Sequence, residues 1–231
     1  MTKKKLMMAG LSAGLVAVVG VGGTLAYLSA QSDVVVNSFT VGKGFIPGPD
    51  SDSAILLDEV KVDPETGEPV ENGERVLENE YNNLLPGDVR VKDPTVHLGG
   101  GSVDGYVFVE VKGWEQFGDD IEVVGYDNQV WEKVTESGRQ RDAIYVYKGE
   151  KADDNYVVDL DSTAEGTWVD LEPVFTEIKV NGDITQEELE KLDFHEMALK
   201  AVVVQADNMT VGEAYEEAKN IFVASTPDPL Q

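Results

Sequence analysis

Apolar residues along this chain alternate with polar ones far more often than they recur at helical spacing. Val103–Val111 shows it most clearly. Val107, Val109 and Val111 fall on one side of an extended segment, Tyr106 and Phe108 on the other. Both sides are apolar, which predicts a strand covered on both faces. Further strands are predicted at Ala54–Val62, Val89–Val96, Ile121–Tyr126, Val130–Thr135, Ala143–Lys148, Tyr156–Leu160, Trp168–Val180 and Glu196–Ala206. Pro94 interrupts the second of these, as suits a bulged or edge strand. Pro86-Gly87, Gly99–Ser102, Gly118-Asp119-Asp120, Asp127-Asn128, Gly138 and Asn181-Gly182 supply turns between them. Asp63–Glu74, with two prolines and two glycines, reads as a polar loop.

Two segments carry the other period. Thr185–Leu192 has Asp183 or Thr185 as a cap and glutamates in its first turn. Thr210–Phe222 opens with the capping-box pair Thr210 and Glu213 and lines up Val211, Ala214, Tyr215, Ala218, Ile221 and Phe222 on one face. The pattern therefore predicts a mainly β fold: an antiparallel sandwich or barrel with two or three short helices.

The N-terminal fifth of the chain is different. Asp33–Val41 is apolar on both sides, with Val34 and Val36 opposite Val35, Phe39 and Val41. Such a strand must be buried, and Gly42–Pro49 is a flexible joint behind it. It is expected either to begin its own sandwich or to insert along the open sheet edge of a neighbour, with Phe39 as the anchor. Ahead of it, Lys3, Lys4 and Lys5 precede an uncharged run from Leu6 to Ser32. That is the order of a secretory signal; the competing reading is a transmembrane anchor. Five glycines between Gly10 and Gly23, and small residues before a cut at Ala26, Tyr27 or Leu28, favour cleavage. The chain thus divides into a signal peptide (1–26), a possible donor strand with its linker (27–49), a β-sandwich domain (50–224) and a loose tail (225–231).

Charge narrows the partners. There are 44 acidic residues against 18 basic ones, a net charge of −26, and loss of the signal takes this to about −29. Phosphate-backbone binding is excluded in practice, so no nucleic-acid partner is expected. Cysteine is absent, which removes disulfides, thiol catalysis and thiolate metal sites. Only His97 and His195 are present. His195-Glu196 begins like a zincin helix, but Leu199 stands where the second histidine belongs. Asn181–Glu188 resembles half of an EF-hand loop; counting back puts Glu177 first and Lys179 third, where an oxygen ligand is needed. Asp119-Asp120, Asp153-Asp154 and Asp159 with Asp161 leave weak surface calcium open, and no other cofactor is expected. Phosphate-binding loops and nucleophile elbows are missing, so nothing argues for an enzyme.

Several segments together resemble the TasA/camelysin family of exported proteins from Gram-positive bacteria. They are Gly20–Gly42, Leu85-Pro86-Gly87-Asp88 running on to Lys92–Val96, Asp104–Val111, and Ala201–Ala206 with the helix after it. About 113–180 matches no pattern of that family. The resemblance implies a jelly-roll-like domain that forms fibres in the biofilm matrix, the mature N-terminal segment entering the next subunit as a strand. It further implies release by a dedicated SipW-type signal peptidase, contact with the membrane only during export, a secreted or cell-surface location, and self-association beside other matrix proteins. Camelysins are also classed as metallopeptidases, an activity that the incomplete His195 motif argues against. A monomeric cell-surface binding or adhesion module is the competing reading.

Overall fold

The structure is a computed structural model, and it describes residues 29–31, 44–114, 117–134, 143–149, 156–191 and 197–224. It is mainly β, an antiparallel sandwich with few helices. The largest sheet has the order β1 (Ser29–Gln31), β12 (Ala198–Gln205), β6 (Gly105–Lys112), β9 (Ala143–Tyr147), β8 (Trp131–Lys133). Facing it, the second sheet runs β10 (Trp168–Asp170), β5 (Thr95–Gly99), β2 (Ile55–Val60), β3 (Arg75–Val76). A small third sheet runs β4 (Val89–Val91), β11 (Glu177–Val180), β7 (Ile121–Val124). Among the described residues two helices follow late in the chain, α1 (Gln186–Leu189) and α2 (Val211–Ala224).

The core sits between the first two sheets. Val107, Val109, Val111, Ala201 and Val203 of the large sheet meet Ile55, Val96 and Leu98 of the second. On the reverse side of the large sheet, Phe108, Val146, Val202 and Val204 pack under Ala214, Ala218 and Phe222 of α2. This is the physical reason that β6 is apolar on both faces: it has a sheet on one side and a helix on the other. Thr210 caps α2 in the predicted manner. Its backbone N–H and hydroxyl both donate to the Glu213 carboxylate, at 2.8 Å each, and Glu213 N–H donates back to the hydroxyl at 3.3 Å. Thr185 and Glu188 form the same box on α1, which ends at Leu189, short of the expected Leu192.

Three expectations are corrected. Val89–Val96 is not one strand: Pro94 has no N–H to give a ladder, and β4 and β5 on either side of it belong to different sheets. Trp168–Val180 likewise divides into β10 and β11, and the stretch between them turns Leu171, Val174 and Phe175 into the core. Among the described residues Tyr156–Leu160 makes one bridge, Val158 to Gly105, and the Asp104 carboxylate takes the Leu160 and Asp161 N–H groups, at 2.9 and 3.0 Å. In addition, the two-residue β3 lies just past the predicted polar loop. That loop folds back at Gly67 (φ 68°), where a Cβ would fall 2.2 Å from the Arg90 side chain.

Candidate functional site

β2 reads Ile-Leu-Leu-Asp-Glu-Val, with two adjacent acids in an apolar strand. Adjacent strand residues face opposite ways, so Asp58 and Glu59 each need a separate answer to burial. Both are 7% exposed.

Asp58 points to the side where β5 carries His97. His97 Nε2 lies 2.9 Å from Asp58 Oδ1, and Nδ1 lies 2.7 Å from Asp170 Oδ1 on β10. With a carboxylate at each ring nitrogen, both nitrogens must donate, which requires the imidazolium form. Burial opposes that charge, but the bonds to Asp58 and Asp170 outweigh it and hold the His97 pKa above the ordinary imidazole value. For Asp58, burial is again opposed, here by the hydrogen bonds from His97 and Arg75, and its pKa is lowered. The Arg75 guanidinium donates through Nε to Asp58 and through Nη1 to Asp93 at 3.2 Å. Trp168 presents its ring to the imidazole edge-on, 6.3 Å between centroids. A histidine clamped in this way has no free lone pair to act as a base. The cluster ties β2, β3, β5 and β10 together.

Glu59 points the other way and meets Lys92, whose Nζ is 2.5 Å from Glu59 Oε1. Asn79 uses the second carboxylate oxygen: Nδ2 donates to Glu59 Oε2 at 3.3 Å and to the Val60 carbonyl at 2.9 Å. Its Oδ1 accepts from Val62 N–H at 3.0 Å. The Tyr81 ring centroid stands 5.9 Å from Lys92 Nζ, and its hydroxyl donates to the Val91 carbonyl at 2.8 Å. Burial first, then the charges of Glu59 and Asp93, push the Tyr81 phenol well above its ordinary pKa. This group opens on a cleft of about 1000 Å³. Leu57, Phe117, Ile121, Ile178 and Leu199 give the cleft an apolar floor, and Glu78, Glu80 and Glu190 add acid to it.

A third feature is the edge of β12. Ser29, Ala30 and Gln31 pair antiparallel with Val204, Val203 and Val202, so the segment just after the predicted cut extends the large sheet. Val34, Val35, Val36, Phe39 and Val41 lie outside the described residues, as do Ala26, Tyr27 and Leu28 and the His195-Glu196 pair. The half EF-hand is a turn into a capped helix: Asn181 Oδ1 accepts from Asp183 N–H at 2.9 Å, and Glu177 and Lys179 are strand residues of β11. Among the described residues no group of three or more histidines and carboxylates could hold a metal ion. No helix among them is long and apolar enough to cross a membrane.

Asp58, Glu59, Arg75, Asn79, Lys92 and Asp170 were not expected from the sequence as site residues. The available signal was the acid pair inside β2, since strict alternation can place only one of two neighbours at the surface. Compared with models of known families, with curated proteins and with solved structures, the chain matches none.

Proposed function

We propose that this chain is an exported structural subunit that builds extracellular fibres by donating its N-terminal strand to a neighbour. The observation that carries the reading is the pairing of Ser29–Gln31 with β12. A strand held there by backbone hydrogen bonds is interchangeable with the same strand of another copy. Twelve residues separate Gln31 from Gly44. Fully extended, they span at most about 40 Å, enough to carry the strand across to an adjacent subunit. The predicted cut at Ala26–Leu28 would free the strand directly at its start, making the SipW-type peptidase the step that licenses assembly. Other copies are then the main partner, with further matrix proteins able to enter at the same edge.

Electron microscopy and size-exclusion chromatography of the processed protein test this. Polymers are expected from the native chain. Deletion of residues 27–41 should give a folded monomer that captures a synthetic peptide of those residues; Phe39→Ala should weaken assembly. A native chain that stays monomeric at high concentration, or a deletion that unfolds the domain, overturns the proposal. The cleft beside Tyr81 favours a second reading, a monomeric surface module that binds a ligand there. A monomer with saturable binding to a cell-surface component would support that reading instead.

A further inference from the structure

We propose that Lys92 and Asn79 react with each other to form an intramolecular amide cross-link, with Glu59 carrying the protons between them. The two reactants sit on the two oxygens of one carboxylate: Lys92 Nζ on Oε1 at 2.5 Å, Asn79 Nδ2 on Oε2 at 3.3 Å. Lys92 is 9% exposed and Glu59 7%. The amine and the carboxylate that can accept its proton are thus held in direct contact and largely out of bulk water. The Tyr81 ring stands beside the amine, its centroid 5.9 Å from Nζ. The amide carbonyl is also prepared, because Val62 N–H points at Asn79 Oδ1 from 3.0 Å, where negative charge would develop.

The reaction closes without any co-reactant. Glu59 takes a proton from the Lys92 ammonium and leaves a neutral amine. The Nζ lone pair attacks Asn79 Cγ, and the carbonyl electrons move onto Oδ1. As the carbonyl re-forms, the Cγ–Nδ2 bond breaks, and Glu59 delivers its proton to Nδ2, which departs as ammonia. Nζ gives up its surplus proton to Glu59, and the ammonia carries that proton away as ammonium through the cleft. One carbon–nitrogen bond forms, one breaks, and nothing is oxidised or reduced. The link would fasten the segment after β3, where Asn79 lies, to the segment after β4, where Lys92 lies.

Tryptic peptide mapping of the purified protein tests the assignment. The peptide 76–90 holds Asn79, and cleavage after Lys92 is blocked if its amine is acylated. The expected result is a linked peptide pair, lighter than the sum of its parts by one ammonia, with fragmentation placing the bond at Asn79 and Lys92. Lys92→Arg and Glu59→Gln should each abolish the linked species. Separate peptides of native mass in the unmodified protein overturn the proposal, whether or not the variants fold. Conversion of Asn79 to aspartate without a link also overturns it, since water rather than Lys92 would then be the nucleophile. A link that persists in Glu59→Gln overturns the role given to Glu59.

Discussion

At the scale of single residues, the strands of the second sheet and the segments after β3 and β4 are tied by charges that the strand pattern alone would not permit. His97 illustrates the balance. Its pKa is raised by the bonds to Asp58 and Asp170 despite burial. A cation favoured in the folded state contributes its full stability below the unfolded imidazole value of about 6.5 and loses it as pH rises through the raised folded value. His97→Gln should therefore cost about 1–3 kcal/mol at pH 6 and progressively less at alkaline pH. Urea melts of both proteins across pH 5.5–9 would check it; a difference that is flat with pH would show that His97 is neutral in the fold. Asp58 titrates with the opposite sign. Its lowered pKa means that its contribution is present at neutral pH and is lost as acid protonates it. The stability of the cluster should thus peak between the two titrations. Lys92→Met takes from Glu59 its cation in the unlinked chain and the neighbouring amide in the linked one, and is expected to destabilise the fold in the same melts.

At the scale of elements, periodicity and caps carried most of the information. β6 and β12 are placed correctly because their apolar residues fill both faces, and each face has a partner to meet. α2 was legible from the Thr210 and Glu213 cap and the apolar face behind it. Thr210→Ala removes the two bonds of the hydroxyl and keeps the backbone N–H on Glu213, and should cost about 0.5–2 kcal/mol in thermal or chemical melts, whereas Thr210→Ser should be close to neutral. What was not legible is long-range. No local rule says that Pro94 separates strands of two different sheets, or that Asp104 replaces a ladder at Leu160 with side-chain bonds from 56 residues away. The buried network was hidden for the same reason. His97 and Asp170 are adjacent across β5 and β10 but 73 positions apart in sequence. Glu59 and Lys92 are 33 apart, and their pairing depends on a strand order that composition does not encode.

At the scale of the whole molecule, the dominant quantity is a net charge of −26, which processing at the predicted site would make more negative. Strand donation relies on neutral backbone hydrogen bonds and apolar side chains, neither of which is weakened by moderate salt. Repulsion between like-charged subunits is weakened: the screening length falls from about 30 Å at 0.01 M salt to about 10 Å at 0.1 M and about 3 Å at 1 M. If the chain polymerises through its N-terminal strand, added sodium chloride should speed assembly and lower the concentration at which polymers appear. The gain should be steep below about 0.1 M, where screening changes most over distances between subunits, and shallow above it. A surface module that recognises a basic ligand at Glu78, Glu80 and Glu190 predicts the reverse, because salt screens an attraction there. Light scattering of the processed protein across that salt range, with binding measured in parallel, separates the two. Assembly that slows as salt rises would mean that subunits meet through charge complementarity, and strand donation would no longer account for the fibre.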